Sequence, residues 1–168
     1  AEFKSAGDFQ EVLDRARLFA SEQQLLIGVR VLTGTISAAH AGGAYALLAE
    51  CIIEAMQAEV EREMVKAHGR VPGGAAAVVA MGKLGGREMT ASSDLDLILI
   101  YDFDAEATMS SGPKPLPITQ YYTRLTQRLI SAFTAPIWYI IRSASSEGAT
   151  SITRRPKPIK SGSEGWAP

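Results

Sequence analysis

The sequence has little of several features that would assign a protein to a particular class. It contains a single cysteine, Cys51, so it cannot form a disulfide within the chain. No run of about 18 uncharged apolar residues occurs, and we expect no signal peptide. Lys and Arg number 17 against 18 Asp and Glu, which gives no excess of positive charge for nucleic-acid binding. We therefore expect a cytoplasmic protein that binds neither nucleic acid nor membranes.

Residues suited to zinc binding or nucleophilic catalysis are also scarce. The 2 histidines, His40 and His68, lie near the two ends of one predicted helix. Neither has cysteines or carboxylates around it at the spacing of zinc ligands, so we expect neither to be catalytic. Cys51 falls on the apolar side of the same helical pattern, which predicts a buried and unreactive thiol.

The apolar content is high enough for one domain with a core, at 46% of 168 residues. An apolar stripe with helical spacing predicts a first helix from Asp8 to about Ser21. The next segment, 22–32, is apolar on nearly every side, so its periodicity cannot distinguish a buried helix from a strand.

A long helix is predicted from Ser37, which suits the capping position, to about His68. Its apolar residues recur at steps of three and four, and Gly42 and Gly43 are expected to kink its start. The charged residues between the apolar ones, Glu59 among them, are interpreted as a solvated face.

The stretch from Ala75 to Asp104 combines two apolar runs, a glycine turn and two aspartates. The run 75–81 has the length and bulk of a buried strand, and 95–101 is predicted as a second strand. Between them, Gly85 and Gly86 lack a Cβ that would keep a ligand at a distance. A glycine turn between two strands is typical of a place where a ligand approaches the backbone.

Asp94 and Asp96 are one residue apart, so a strand would place both carboxylates on one face, with Cα atoms about 7 Å apart. Two anions so close repel each other unless a cation lies between them. Mg²⁺ suits this position, because it is usually bound by one or two carboxylates together with the phosphates of a substrate. Neither pair is specific alone, but a glycine turn followed by two aspartates predicts a nucleotide and magnesium site.

Other residues near the glycine turn are candidates for phosphate binding. Residues 87–90 are predicted to start a short helix whose free N–H groups face an anion. Ser93 adds a hydroxyl donor just before the aspartates. Lys83 either contacts a phosphate or is a solvated lysine of the turn. For Arg87, a surface ion pair is as good an explanation as contact with a ligand.

The sequence after the second strand predicts a loop and a last helix. Asp102 and Asp104 are expected to cap the turn that follows the strand rather than to bind metal. Residues 105–117, rich in Ser, Gly and Pro, predict a connecting loop. Pro117 suits the first turn of an amphipathic helix that ends before Pro136.

The segment GKLGGREMTASSDLDLILIYDFD, residues 82–104, closely resembles the signature of the bacterial glutamine synthetase adenylyltransferases. These are bifunctional enzymes with two similar nucleotidyltransferase halves. The resemblance continues through GVRVLTGTISAAHAGGAYALLAE, AHGRVPGG and QYYTRLTQRLISAFTAP, and is greater to the C-terminal, adenylylating half. It implies an α+β fold, in which a helical segment (1–74) precedes a partial nucleotidyltransferase core of the DNA polymerase β type (75–141).

The same resemblance implies an activity and its partners. The full enzyme would transfer AMP from ATP to a tyrosine of glutamine synthetase, in the cytoplasm, under control by glutamine and a PII signal protein. Gly85 and Gly86 would seat the phosphates, with a hydrogen bond from Ser93. Asp94 and Asp96 would bind the Mg²⁺ that polarises the α-phosphoryl group.

The chain departs from the family after its last predicted helix. Family members continue into a strand with a third acidic residue, whereas here a possible strand at 137–141 leads into 142–168, rich in Ser, Gly, Pro and basic residues. That composition predicts a disordered or non-native tail. Because the third carboxylate helps hold the ion that activates the attacking hydroxyl, we expect weak binding of Mg²⁺ and ATP with little or no turnover.

Two alternatives fit the same residues. One is that the chain comes from the half that removes AMP with phosphate. The other is a non-catalytic module whose long helices bind a partner, with aspartates that no longer bind metal.

Overall fold

A computed structural model describes residues 9–134, which form an α+β arrangement as the sequence predicted. The elements in chain order are α1 (Phe9–Leu32), α2 (Ala38–His68), β1 (Ala75–Ala80), α3 (Gly82–Gly85), β2 (Leu97–Asp102) and α4 (Ile118–Thr134). None of the helices in this part of the chain has the length and apolarity that crossing a membrane requires. The predicted strand at 137–141 and the tail at 142–168 lie outside the described residues.

α1 is one continuous helix of 24 residues. Residues 22–32 are therefore helical, in agreement with the helical segment that the family resemblance implies, whereas the predicted end near Ser21 is wrong. The side chain of Ser21 donates to the carbonyl of Arg17 at 3.0 Å, so it is satisfied inside the helix. On the inner side, Leu13, Ala16 and Ala20 are buried. On the opposite side of the helix, the exposed apolar residues are Leu18, Leu25, Val29 and Leu32.

α2 begins and ends where the sequence predicted. The Ser37 side chain accepts a hydrogen bond from the N–H of His40, and Gly69 follows the last residue with a left-handed φ of 74°. The helix has 31 residues, a length of about 46 Å, and continues without interruption through Gly42 and Gly43. A Cβ at Gly42 would lie 3.4 Å from the carbonyl oxygen of Met89, so glycine here lets another backbone segment lie close to the helix.

The main core forms where α1, α4 and the sheet cover α2. Met56, Val60 and Met64 of α2 are completely buried. On α4, Tyr122 and Leu125 belong to the same cluster. α2 is therefore the central element of the described fold.

Two side chains of α2 lie opposite to their predicted environment. Cys51 is exposed rather than buried, because it follows Leu47 by one helical turn on an exposed strip. Glu59 is buried rather than solvated, since it lies seven residues after the buried Ile52 on the core side. Arg62 donates to both carboxylate oxygens of Glu59, which compensates for burial of the charge.

β1 and β2 form a two-stranded antiparallel sheet, in register from Ala75 opposite Asp102 to Ala80 opposite Leu97. Both strands lie within one or two residues of their predicted bounds, but the burial predicted for the first strand is wrong, since its residues alternate between exposed and half-buried. Val78 and Leu99 face the helices, whereas Ile98 and Ile100 are exposed on the outer side. The sheet thus has one covered and one open face in the described part of the chain.

α4 starts directly after Pro117, as predicted. It contacts the sheet at the C-terminal end of β2. The hydroxyl of Tyr122 donates to the carbonyl of Asp102 at 3.0 Å. The Tyr122 ring stacks on Tyr101 with centroids 4.0 Å apart. The last helix and the second strand are therefore held together by both a hydrogen bond and ring contact.

Replacing Met56 by Ala should lower the free energy of unfolding by about 2–5 kcal/mol, because it leaves a cavity in the centre of the main core. Leu47→Ala, on the exposed side of the same helix, is the matched control and should cost much less. Urea unfolding followed by circular dichroism measures both. Equal losses for the two variants would contradict the assignment of α2 as the central element.

Candidate functional site

The candidate site lies where β1 ends and the chain approaches β2. The N–H of Met81 donates to the carbonyl of Asp96 at 2.8 Å. This bond continues the antiparallel pairing by one residue beyond Ala80 and Leu97. The glycine turn that follows Met81 is therefore held beside Asp96.

Asp94 and Asp96 are exposed and precede β2, which begins at Leu97 rather than at the predicted residue 95. They alternate with Leu95 and Leu97, which pack against a second apolar cluster. The alternation is that of a strand, so both carboxylates lie on the solvent side of this segment. Exposed carboxylates one residue apart are ligands of the type that Mg²⁺ prefers.

The second cluster anchors the glycine turn to α2. Leu84 and Met89 are almost completely buried there against Ala46 and Ala49. Tyr45 belongs to the same cluster, and burial raises the pKa of its phenol above the ordinary value. The position of the turn is thus determined by the N-terminal half of α2.

The short helix lies earlier than predicted. α3 spans Gly82–Gly85, whereas residues 87–90 form no helix and Arg87 has a left-handed φ of 56°. The physical reason is that Leu84 and Met89 are both buried in one cluster. Five residues apart, they would point about 140° away from each other on a helix, so the chain reverses at Arg87 instead.

The backbone donors of this turn already have acceptors. The N–H groups of Gly85 and Gly86 donate to the carbonyls of Met81 and Gly82. Those of Arg87 and Glu88 donate to Leu84 and Lys83, and that of Thr90 donates to Ser93. The predicted set of free N–H groups at residues 87–90 is therefore wrong for Arg87, Glu88 and Thr90.

Arg87 joins the turn to α2. Its guanidinium lies 2.7 Å from the carboxylate of Glu50. Of the two explanations considered for Arg87, the structure therefore shows the surface ion pair. Both side chains are substantially exposed, so the pair contributes little to stability. Lys83 is exposed and has no ion-pair partner within residues 9–134. Its ammonium is accordingly free to approach an anion.

Ser93 is buried and closes the turn that leads into Asp94. Its hydroxyl oxygen accepts from the N–H of Thr90 at 2.9 Å and lies 2.9 Å from the Thr90 hydroxyl. The N–H of Ser93 donates back to the Thr90 carbonyl. Ser93 therefore fixes the approach to the aspartates, and its hydrogen bond to a nucleotide stays a prediction.

The glycines of the turn differ in what surrounds them. A Cβ at Gly85 would lie 2.8 Å from the carbonyl oxygen of Ala80, so the backbone itself requires glycine there. A Cβ at Gly86 would lie 3.5 Å from the carbonyl oxygen of Gly82, an ordinary contact, and its φ of −81° suits any residue. Nothing in the described part of the chain demands glycine at 86.

Gly82 begins the glycine turn but was not singled out as a site residue, yet it lies against one of the residues that were. It has a left-handed φ of 55°, and a Cβ added to it would lie 2.6 Å from Oδ2 of Asp96. The contact runs from the turn to the segment before β2, fourteen positions later. Sequence spacing carries no signal for such a contact.

Asp104 lies in the turn after β2, as predicted, whereas Asp102 is the last residue of the strand itself. The carboxylate of Asp102 accepts from the N–H of Phe103 at 2.9 Å, and that of Asp104 lies against Gly73. The two histidines lie at the ends of α2, also as predicted. Nδ1 of His40 is paired with Ser37, and Nδ1 of His68 donates to the Lys114 carbonyl.

Comparison with known proteins identifies the family. The model of the glutamate-ammonia ligase adenylyltransferase family matches residues 1–138. The chain belongs to this family. The resemblance seen in the glycine and aspartate motifs is thereby confirmed.

Relatives in the glutamate-ammonia ligase adenylyltransferase family are much longer. The bifunctional glutamine synthetase adenylyltransferase/adenylyl-removing enzyme of Xanthobacter autotrophicus is 58% identical over 127 residues, 75% of this chain and 13% of its own length. The Brucella suis enzyme of the same name is 55% identical over 132 residues, 79% of this chain and 13% of its own. The chain thus spans 13% of the length of these curated relatives.

The donor set at the site suits a metal ion that is shared with a ligand. Within residues 9–134, no group of three or more His, Cys, Asp or Glu side chains is arranged to hold a metal ion. Asp94 and Asp96 supply two carboxylates, which leaves further positions around Mg²⁺ for water and phosphate oxygens. The residues present therefore fit Mg²⁺ bound together with a nucleotide better than a metal enclosed by protein.

Gly85→Ala should lower the free energy of unfolding by about 1–3 kcal/mol, because the new methyl group would overlap the Ala80 carbonyl. Gly86→Ala should leave it unchanged or raise it by up to about 1 kcal/mol, since the backbone there suits alanine. Chemical denaturation of both variants measures the difference. A larger loss for Gly86→Ala than for Gly85→Ala would contradict the distinction between these glycines.

Proposed function

We propose that this chain carries the nucleotide- and metal-binding part of an adenylyltransferase that moves AMP from ATP to a tyrosine hydroxyl of glutamine synthetase. The observation that carries the proposal is the pair of exposed carboxylates, Asp94 and Asp96, of which Asp96 is held by backbone pairing beside a glycine turn. Family membership supports the substrate class, because the relatives are named for addition and removal of adenylyl groups on glutamine synthetase.

The side chains around the turn have separate tasks in this proposal. Asp94 and Asp96 bind Mg²⁺, which supplies the Lewis acid that polarises the α-phosphoryl group of ATP. Gly86 leaves room for the triphosphate, and the free ammonium of Lys83 offsets its charge. Gly85 maintains the shape of the turn.

Ser93 acts mainly through position. Its hydroxyl lies 2.9 Å from the Thr90 hydroxyl, and either group can be the donor of that bond. Where Ser93 is the donor, a hydrogen bond to the nucleotide requires its hydroxyl to turn away from Thr90. While it stays bonded to Thr90, Ser93 keeps Asp94 at the mouth of the site. We therefore propose that Ser93 supports the turn in the free protein and that its hydroxyl contacts the nucleotide directly once the nucleotide is bound.

We assign the chain to the adenylylating half on the resemblance of residues 82–104. The relatives have both activities in one polypeptide, so the assignment is tested by chemistry. Phosphate and adenylylated glutamine synthetase are offered to the protein, and ADP is measured. Release of ADP would favour the adenylyl-removing half. For the whole protein we propose cytoplasmic location and control by glutamine and a PII signal protein.

The purified chain should bind ATP weakly in the presence of Mg²⁺, with little or no transfer of AMP. Changing Asp94 and Asp96 together to Asn should reduce the affinity at least about tenfold, because both charged metal ligands are lost. Isothermal titration calorimetry measures the affinity, and Asp104→Asn, an exposed aspartate outside the site, is the matched control. Robust AMP transfer by the chain alone would contradict the expected need for a third carboxylate.

A second candidate function is a non-catalytic helical module. It would be favoured if the chain did not bind ATP with Mg²⁺, or if the aspartate changes left the affinity unaltered. One observation favours that candidate: the exposed apolar strip on α1. Leu25 is 66% exposed and Leu32 is 88% exposed, on the side of α1 opposite its contact with α2. Exposed apolar strips of this kind are typical of contact surfaces.

Gly86→Ala should weaken binding of ATP with Mg²⁺ while leaving the fold intact, because its methyl group would occupy space that the fold does not use. Gly43→Ala, a helical glycine with nothing within 4 Å of an added Cβ, is the control for loss of a glycine. Calorimetric titration of both variants decides the matter. Unchanged affinity in Gly86→Ala would remove this glycine from the binding site.

A further inference from the structure

We infer that Gly82 is a positioning residue for the metal site, and that it acts by leaving space for the carboxylate of Asp96. This inference rests on the proposed function, because it requires the Asp96 carboxylate to be a ligand of Mg²⁺. It concerns a residue outside the Gly85–Gly86 pair.

The contact is specific to the end of the Asp96 side chain. A Cβ at Gly82 would lie 2.6 Å from Oδ2, but 3.6 Å from Cγ and 3.8 Å from Cβ of the same residue. Only the carboxylate oxygen, the type of atom that would bind Mg²⁺ in the proposed site, would overlap. Any side chain at 82 therefore displaces the ligand atom rather than the chain that carries it.

The backbone around the contact cannot easily move apart to relieve the overlap. The N–H of Met81 donates to the carbonyl of Asp96, so the residue before Gly82 is bonded to the residue that Gly82 faces. The carbonyl of Gly82 accepts from the N–H of Gly86, which fixes the other side. Rotation of the Asp96 side chain is the remaining way to make room.

Other glycines separate this effect from backbone strain. Gly82 has φ of 55°, so an alanine there is strained regardless of contacts. Gly34 has a similar φ of 68°, but nothing lies within 4 Å of a Cβ added to it. Alanine at 34 therefore reproduces the strain without the contact, in the loop between α1 and α2.

The first measurement needs no metal. The carboxyl carbon of Asp96 is observed by carbon NMR in the full chain and in the variants Gly82→Ala and Gly34→Ala. We expect its chemical shift to change in Gly82→Ala and to stay the same in Gly34→Ala. An unchanged Asp96 signal in Gly82→Ala would overturn the inference.

The second measurement is the affinity for ATP with Mg²⁺ by calorimetry. Gly82→Ala should weaken binding at least about tenfold, whereas Gly34→Ala should leave it unchanged. Gly82→Asn repeats the test with a residue that tolerates a left-handed φ, in case alanine prevents folding. It retains the Cβ, so it should weaken binding to a similar extent.

The outcomes separate the two proposals. If the unmodified chain binds ATP and Mg²⁺, and Gly82→Ala and Gly82→Asn bind them equally well, the positioning role is wrong and the proposed function stands. If the unmodified chain binds neither, the proposed function fails, and the positioning role for a metal ligand fails with it. Weaker binding in both Gly82 variants, with Gly34→Ala unaffected, supports both proposals.

Discussion

Burial of α2 along most of its length is the constraint on which the described structure depends. Its C-terminal half forms the main core through Met56, Val60 and Met64, which are fully buried. Its N-terminal half carries the second cluster, into which the glycine turn inserts Leu84 and Met89. Because one rigid helix supports both, the folding of the core and the placement of the candidate site are parts of one packing arrangement.

The glycines of the turn illustrate how one residue type meets different physical demands. At 85 the neighbour is a backbone carbonyl, at 82 it is a carboxylate, and at 86 only an ordinary contact within the turn exists. Of the three, only Gly86 has no neighbour that excludes a Cβ, so only there can the lack of a side chain be explained directly by the approach of a ligand. A motif rich in glycine is therefore partly a folding requirement and partly a binding surface, and the atoms around each glycine distinguish the two.

Much of the fold follows from local patterns that the sequence expresses clearly. Ser37, Gly69 and Pro117 mark helix ends through capping and fixed φ, and the apolar runs predict both strands. The failures have tertiary causes. Cys51 and Glu59 depend on which side of α2 is covered, and residues 87–90 are not helical because Leu84 and Met89 share one cluster. At the site, spacing indicated the aspartate pair, but the contact of Gly82 with Asp96 joins separate segments and has no local signature.

The sheet has only two strands in the described part of the chain, and two isolated strands are marginally stable in water. The candidate site therefore forms only when the helices cover the inner face of the sheet. A ligand that binds only the folded form would then stabilise the whole domain. All of the helices and strands would unfold together at a higher temperature. Occupancy of the aspartates and global folding would be linked thermodynamically, although the ligand contacts only one edge of the molecule.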